Sequence, residues 1–85
     1  MAQILIVDDS PTEVFAFKRM LEGGGHQTIV ANNGKEGVER ARSDQPDLIL
    51  MDVVMPGMNG FQATRELSRD PNTAAIPIIM VTTKD

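Results

Sequence analysis

Asp52 closes the run Asp47-Leu48-Ile49-Leu50-Met51-Asp52, and chemistry in this chain centres on its carboxylate. Four apolar residues in a row read as a strand buried on both faces. The carboxyl ends of such strands are where open α/β sheets bind ligands. The loop that follows, Val53-Val54-Met55-Pro56-Gly57-Met58-Asn59-Gly60, is rich in turn residues and leaves Asp52 at the mouth of a cleft. Two further acids, Asp8 and Asp9, end the run Ile4-Leu5-Ile6-Val7 in the same way, and Thr82 follows Ile78-Ile79-Met80-Val81. If these strands are neighbours, the three polar ends converge on one edge. Three carboxylates that close repel one another, so at neutral pH one takes up a proton or a cation joins them. Oxygen-only ligands, few in number, suit Mg2+ with retained waters rather than zinc or copper.

The elements that must position these groups follow in order. Gln3–Val7 is the first strand. Ser10-Pro11-Thr12-Glu13 reads as a capping box with proline at the first helical position. The helix it starts sets Val14, Phe17, Met20 and Leu21 on one face, as expected for core packing. Gly23-Gly24-Gly25 ends that helix, and three glycines suggest a loose turn. His26, the single histidine, is expected to be a surface turn residue. Gln27–Ala31 is a more polar strand that suits a sheet edge. Asn33 caps a second helix, with Glu36 three residues on. It runs to about Ser43, buries Val38 and Ala41, and exposes Lys35, Glu36, Glu39, Arg40 and Arg42. A third helix spans about Phe61 to Arg69, with Phe61 and Leu67 inward, and Ile78–Val81 is a fourth strand. The order β-α-β-α-β-α-β implies a parallel sheet with right-handed crossovers.

Composition narrows the function. At 85 residues, the chain is read as one small domain over residues 1–85. A net charge of −4 argues against nucleic-acid binding, which needs a basic face. No apolar run approaches the roughly 20 residues of a membrane span. The start, Met1-Ala2-Gln3-Ile4, lacks the basic region of a secretory signal. With no cysteine, thiolate metal sites are excluded, and a cytoplasmic location is expected.

Taken together, the strand ending in Asp8-Asp9, Leu50-Met51-Asp52, Met55-Pro56-Gly57-Met58-Asn59-Gly60, and Ile76-Pro77 followed by a strand and Thr82 match a known pattern in order and spacing. The chain resembles the receiver domain of two-component response regulators. Asp8-Asp9-Ser10-Pro11-Thr12-Glu13 and Gly60-Phe61-Gln62-Ala63-Thr64-Arg65 look like the stand-alone receivers of type IV pilus and twitching-motility systems. The resemblance implies a doubly wound, flavodoxin-like α/β fold with strand order 2-1-3-4. It further implies that Asp52 is the phosphoacceptor, taking a phosphoryl group from a histidine kinase or a small phosphodonor. Asp9 would ligate Mg2+ directly, Asp8 through water or as a second ligand, and the Val54 backbone carbonyl would be a further ligand beside Asp52. Thr82 would follow the phosphoryl group and hydrogen-bond it.

The implied protein is a signalling switch rather than an enzyme. Its implied partners are a sensor histidine kinase or phosphotransfer protein and a downstream motility or output protein. Measured against that family, the chain is read as a partial domain lacking the last strand, two helices and the lysine that pairs with the phosphoryl oxygens. Lys84 is not read as a substitute. Two expectations follow: impaired phosphorylation or readout, and self-association through the strand-4 edge, Ile78–Val81. The competing reading is a receiver-like interaction scaffold that binds partners without phosphorylation. A dehalogenase-type phosphatase would want a second acid where Val54 stands, and a dinucleotide fold a glycine-rich turn where Asp8-Asp9-Ser10-Pro11 stands.

Overall fold

A computed structural model describes residues 1–81 of the chain. Strand β1 (Gln3–Val7) lies between β2 (Gln27–Ala31) and β3 (Leu48–Asp52), and β4 (Ile78–Val81) pairs with the far side of β3. All three pairings are parallel, in the order β2-β1-β3-β4. Helices α1 (Pro11–Gly23), α2 (Gly34–Asp44) and α3 (Gly60–Arg69) make the crossovers. Right-handed crossovers in this order put α1 on one face and α2 with α3 on the other. No helix among the described residues is long and apolar enough to cross a membrane.

Side-chain alternation divides the sheet between the two faces. Leu5, Val7, Ile49 and Met51 form one core with Val38 and Ala41 of α2 and Ala63 and Leu67 of α3. Ile4 and Ile6 point the other way and are also buried. On that second face Leu48 and Leu50 are half-buried, and Ile79, in register with Leu50, is 51% exposed.

Two helix faces differ from the sequence-based expectation. No α1 residue is fully buried: Val14, Phe17 and Leu21 are half-buried and Met20 is exposed. In α3 the inward stripe is Gly60, Ala63 and Leu67, and Phe61 is exposed. Gly60 faces the sheet, and each helical residue turns the next by about 100°, so Phe61 leaves that stripe.

Helix ends are closed by local chemistry. After α1, the Gly25 N–H donates to the Glu22 carbonyl and the His26 N–H to the Leu21 carbonyl, with Gly25 at φ 88°. This is the Schellman arrangement, so the glycine run is a tied-down cap rather than a loose turn. His26 is half-buried, and its Nδ1 accepts the Ala2 N–H at 3.1 Å. The α2 cap forms as expected: Asn33 Oδ1 accepts the Glu36 N–H at 2.8 Å. Thr73, buried beyond α3, donates its hydroxyl to the Leu67 carbonyl at 2.7 Å.

Gly37 shows how closely α2 approaches the sheet. A Cβ there would lie 2.8 Å from both Cγ atoms of Val7, whose β-branched side chain has little freedom to give way. Gly37→Ala is expected to destabilise the fold by about 1–3 kcal/mol through overpacking, read as a lower urea midpoint at unchanged slope.

Candidate functional site

The register of the two central strands builds the site. Val7 of β1 is paired with Met51 of β3, so Asp8 and Asp52 leave the sheet side by side at its carboxyl edge. Both share the alternation of Ile4, Ile6, Leu48 and Leu50, the face that carries α1. Each is 2% exposed. Asp52 is flanked on its other side by Val81 of β4, and the Val53 N–H donates to the Val81 carbonyl.

The turn from β1 into α1 is folded around Asp8. Its Oδ1 accepts the Ser10 N–H at 2.9 Å, and Ser10 Oγ accepts the Glu13 N–H at 3.4 Å. A full capping box would return the Glu13 carboxylate to the Ser10 N–H, but Asp8 already holds that donor. Glu13 instead turns toward the two aspartates. Carboxylate oxygens of Asp8, Glu13 and Asp52 lie within 4.8 Å of one another. By contrast, α3 has a complete capping box, with reciprocal bonds between Asn59 and Gln62 at 2.9 Å each.

This crowding changes the acidity of Asp8. Its pKa is raised to about 6. Burial is the largest cause. The hydrogen bond from Glu13 and the charges of Asp52 and Glu13 add to it, and only the Ser10 N–H opposes them.

The residues singled out from the sequence are placed as follows. Asp8 and Asp52 come together. Asp9 is exposed beside them and is not one of the three clustered acids. Val54 sits in the loop after β3 with its side chain 60% exposed. Thr82 lies outside the described residues. The sequence pattern assigns Glu13 to capping alone. Its place in the first turn after an acidic strand end was the available signal, because helical side chains lean toward the N-terminus and so toward that edge.

Gly60 fixes the other side of Asp52. A Cβ on it would collide with the Asp52 carbonyl oxygen and come 3.0 Å from Val53 Cα, and its N–H donates to the Val53 carbonyl at 3.0 Å. The loop after Asp52 therefore leaves and re-enters the same spot.

Comparison with known proteins gives a consistent answer. Residues 4–85 match the response regulator receiver domain. The chain is 62% identical over 85 residues to the protein PilH of Pseudomonas aeruginosa, covering 70% of it. It is 39% identical to the response regulator PleD of Caulobacter vibrioides, of which it spans only 18%. Among solved structures, it superposes on the N-terminal domain of a response regulator receiver protein from Methanoculleus marisnigri with a TM-score of 0.95. That match has 42% identity and covers 99% of this chain and 68% of that one. The receiver domain of a sensor histidine kinase from Pseudomonas aeruginosa, with a magnesium ion coordinated in its active-site cleft, aligns with a TM-score of 0.92. Its identity is 32%, over 98% of this chain and 68% of that one.

Proposed function

Because the chain belongs to the response regulator receiver family, we propose that it accepts a phosphoryl group on Asp52 in a Mg2+-dependent reaction and thereby switches partner binding in two-component signalling. The observation that carries this reading is the buried grouping of Asp52 with Asp8 and Glu13 within 4.8 Å. Members of this family are signalling switches that bind Mg2+ in an acidic pocket.

The residues fit a hard divalent cation. The donors are all oxygen, carboxylate oxygens of three acids lie within 4.8 Å of one another, and one of these acids, Asp8, titrates near 6. Asp8, Asp9, Asp52 and the Val54 carbonyl are the proposed ligands, with Glu13 beside them. When bound, Mg2+ supplies neutralisation of the charge on the transferred group.

The chain's own residues do the rest. An Asp52 oxygen forms the bond to phosphorus as the bond from phosphorus to the donor breaks, and the leaving group departs with that electron pair. Asp52 is held for this by the central strand and by Gly60 against its carbonyl. The Ser10 N–H orients Asp8. The Thr82 hydroxyl is proposed to hydrogen-bond the phosphoryl oxygens and draw its loop with it. Phosphorylation replaces the single charge of the Asp52 carboxylate with the nearly double charge of an acyl phosphate, a net gain of about one negative charge together with three strong acceptor oxygens, enough to reorder neighbouring loops. The proposed donor is a sensor histidine kinase or phosphotransfer protein, the setting the cytoplasm, and the output pilus-related motility. The last point is supported by the 62% identity to PilH.

Acetyl phosphate with Mg2+ is the direct test. Intact mass is expected to show one phosphoryl adduct, absent when EDTA removes the metal. A folded protein that neither binds Mg2+ nor gains the adduct would support the interaction-scaffold reading instead.

A further inference from the structure

The start of α2 rests on the backbone of the loop that carries Val54. A Cβ built on Gly34 would lie 2.6 Å from the Met58 carbonyl oxygen and 3.1 Å from Met58 Cβ and Cγ. Gly34 is buried and does not have the positive φ of Gly25 and Gly57. Its backbone thus admits any residue, and the reason for glycine is space. A carbonyl is not the free end of a side chain, so an added methyl there must move one of the two segments.

The surroundings decide which segment moves. Helix α2 is pinned by Gly37 against Val7 and by buried Val38 and Ala41. Beyond Met58 the chain is fixed by the Asn59–Gln62 capping box and by Gly60 against the Asp52 carbonyl. Residues 53–58 form no helix or strand; Met55 anchors them in the core and half-buried Met58 packs against it, but they expose Val54 and carry the left-handed Gly57 at φ 74°. Open space lies beside them, a cleft of about 570 Å³ walled by Asn33, Gly34 and Lys35 on one side and Pro56, Gly57 and Met58 on the other. Displacement therefore falls on the loop between Asp52 and Met58.

We propose that Gly34 is a positioning residue for the phosphoryl-transfer site. Its missing Cβ lets α2 buttress the Met58 carbonyl, and so holds the Val54 carbonyl and Asp52 in their relative places. This rests on the phosphoacceptor reading and extends its machinery to a helix that contributes none of the clustered acids.

The test compares Gly34→Ala with Gly23→Ala, a helical glycine with nothing within 4 Å of an added Cβ. Three quantities are read: the amide shifts of Val53 and Val54 in the metal-free protein, the affinity for Mg2+ alone, and the rate of phosphoryl uptake at saturating Mg2+. Gly34→Ala is expected to move both amide shifts and to weaken Mg2+ binding by about tenfold, the usual scale for a group that supports metal ligands from behind. The Gly23 variant is expected to match the parent in all three. A folded Gly34→Ala protein with parental shifts and Mg2+ affinity overturns the proposal. If Gly34→Ala is partly unfolded, the measurements are made in trimethylamine N-oxide, which restores the folded state by exclusion from the protein surface. If the parent protein binds no Mg2+, the phosphoacceptor reading fails, and the metal-free shifts still decide whether Gly34 positions the loop.

Discussion

Asp52→Asn is expected to abolish phosphoryl uptake from acetyl phosphate while leaving a folded protein of equal or greater stability at pH 7. The substitution keeps the shape of the side chain and removes its nucleophilic oxygen, so no adduct should be seen by intact mass. It also removes a buried negative charge that bears on Asp8. With one fewer acid in the group, the fold should tolerate the deprotonated Asp8 better, and the urea midpoint at neutral pH should rise or hold. Loss of the adduct together with gained stability separates loss of chemistry from loss of structure. An adduct that persists in Asp52→Asn would move the phosphoacceptor elsewhere and overturn the proposed function.

The metal-free protein is expected to be more stable at pH 4.5 than at pH 8. In the folded state Asp8 titrates near 6, against an ordinary value of 3.8. A carboxyl raised on folding binds its proton more tightly in the folded state than in the unfolded one. Its contribution is thus fully present below the unfolded pKa and is lost as pH rises through about 6. At about 1.4 kcal/mol per pKa unit, and with pH 4.5 already above 3.8, the loss between pH 4.5 and pH 8 is of the order of 2 kcal/mol. Glu22 and Asp70 act in the opposite sense. Glu22 is held below its usual range first by the Thr28 hydroxyl and then by Lys18, Asp70 first by the Asn72 N–H and then by Arg42. Both are surface groups that matter only as the pH falls into the carboxylate range. Urea melts across this window should show the decline. Asp8→Asn should flatten it, and Mg2+ should offset it at neutral pH by binding the ionised form. A flat profile in the parent protein would mean that the clustered acids do not burden the fold.

The fold was largely legible because the sheet advertises itself. Continuous apolar runs, ending in acid for β1 and β3 and opened by Pro77 for β4, marked these three strands, and the more polar Gln27–Ala31 marked the edge strand. Asp8 and Asp52 were legible for the same reason, since strand ends of a parallel sheet are placed by register alone. What escaped depended on partners distant in sequence. Met20 has the helical spacing of a core residue, but α1 has no second helix beside it among the described residues, and its flank meets water. Phe61 reads as a core aromatic until Gly60 claims the inward position. Glu13 carries a capping signature, and only the bond between Asp8 and the Ser10 N–H shows that its carboxylate is diverted.

The strand order also sets a schedule for synthesis. β1 and β2 are joined by a single helix and can pair early, but the opposite edge of β1 must wait for β3. The bond from the Gln3 N–H to the Asp47 carboxylate at 2.8 Å, where that second pairing begins, spans 44 positions. At bacterial and eukaryotic elongation speeds of about 5–20 residues per second, β1 stands with one bare edge for roughly 2–9 s on the ribosome. Throughout that interval Ile4-Leu5-Ile6-Val7 is an apolar strand with its β3-facing edge unpaired. Asp8-Asp9 directly after it serve the nascent chain as gatekeepers, charges that discourage edge-to-edge association before Asp52 has been made. Asp8, which is crowded in the finished site, is for those seconds part of the strand's protection.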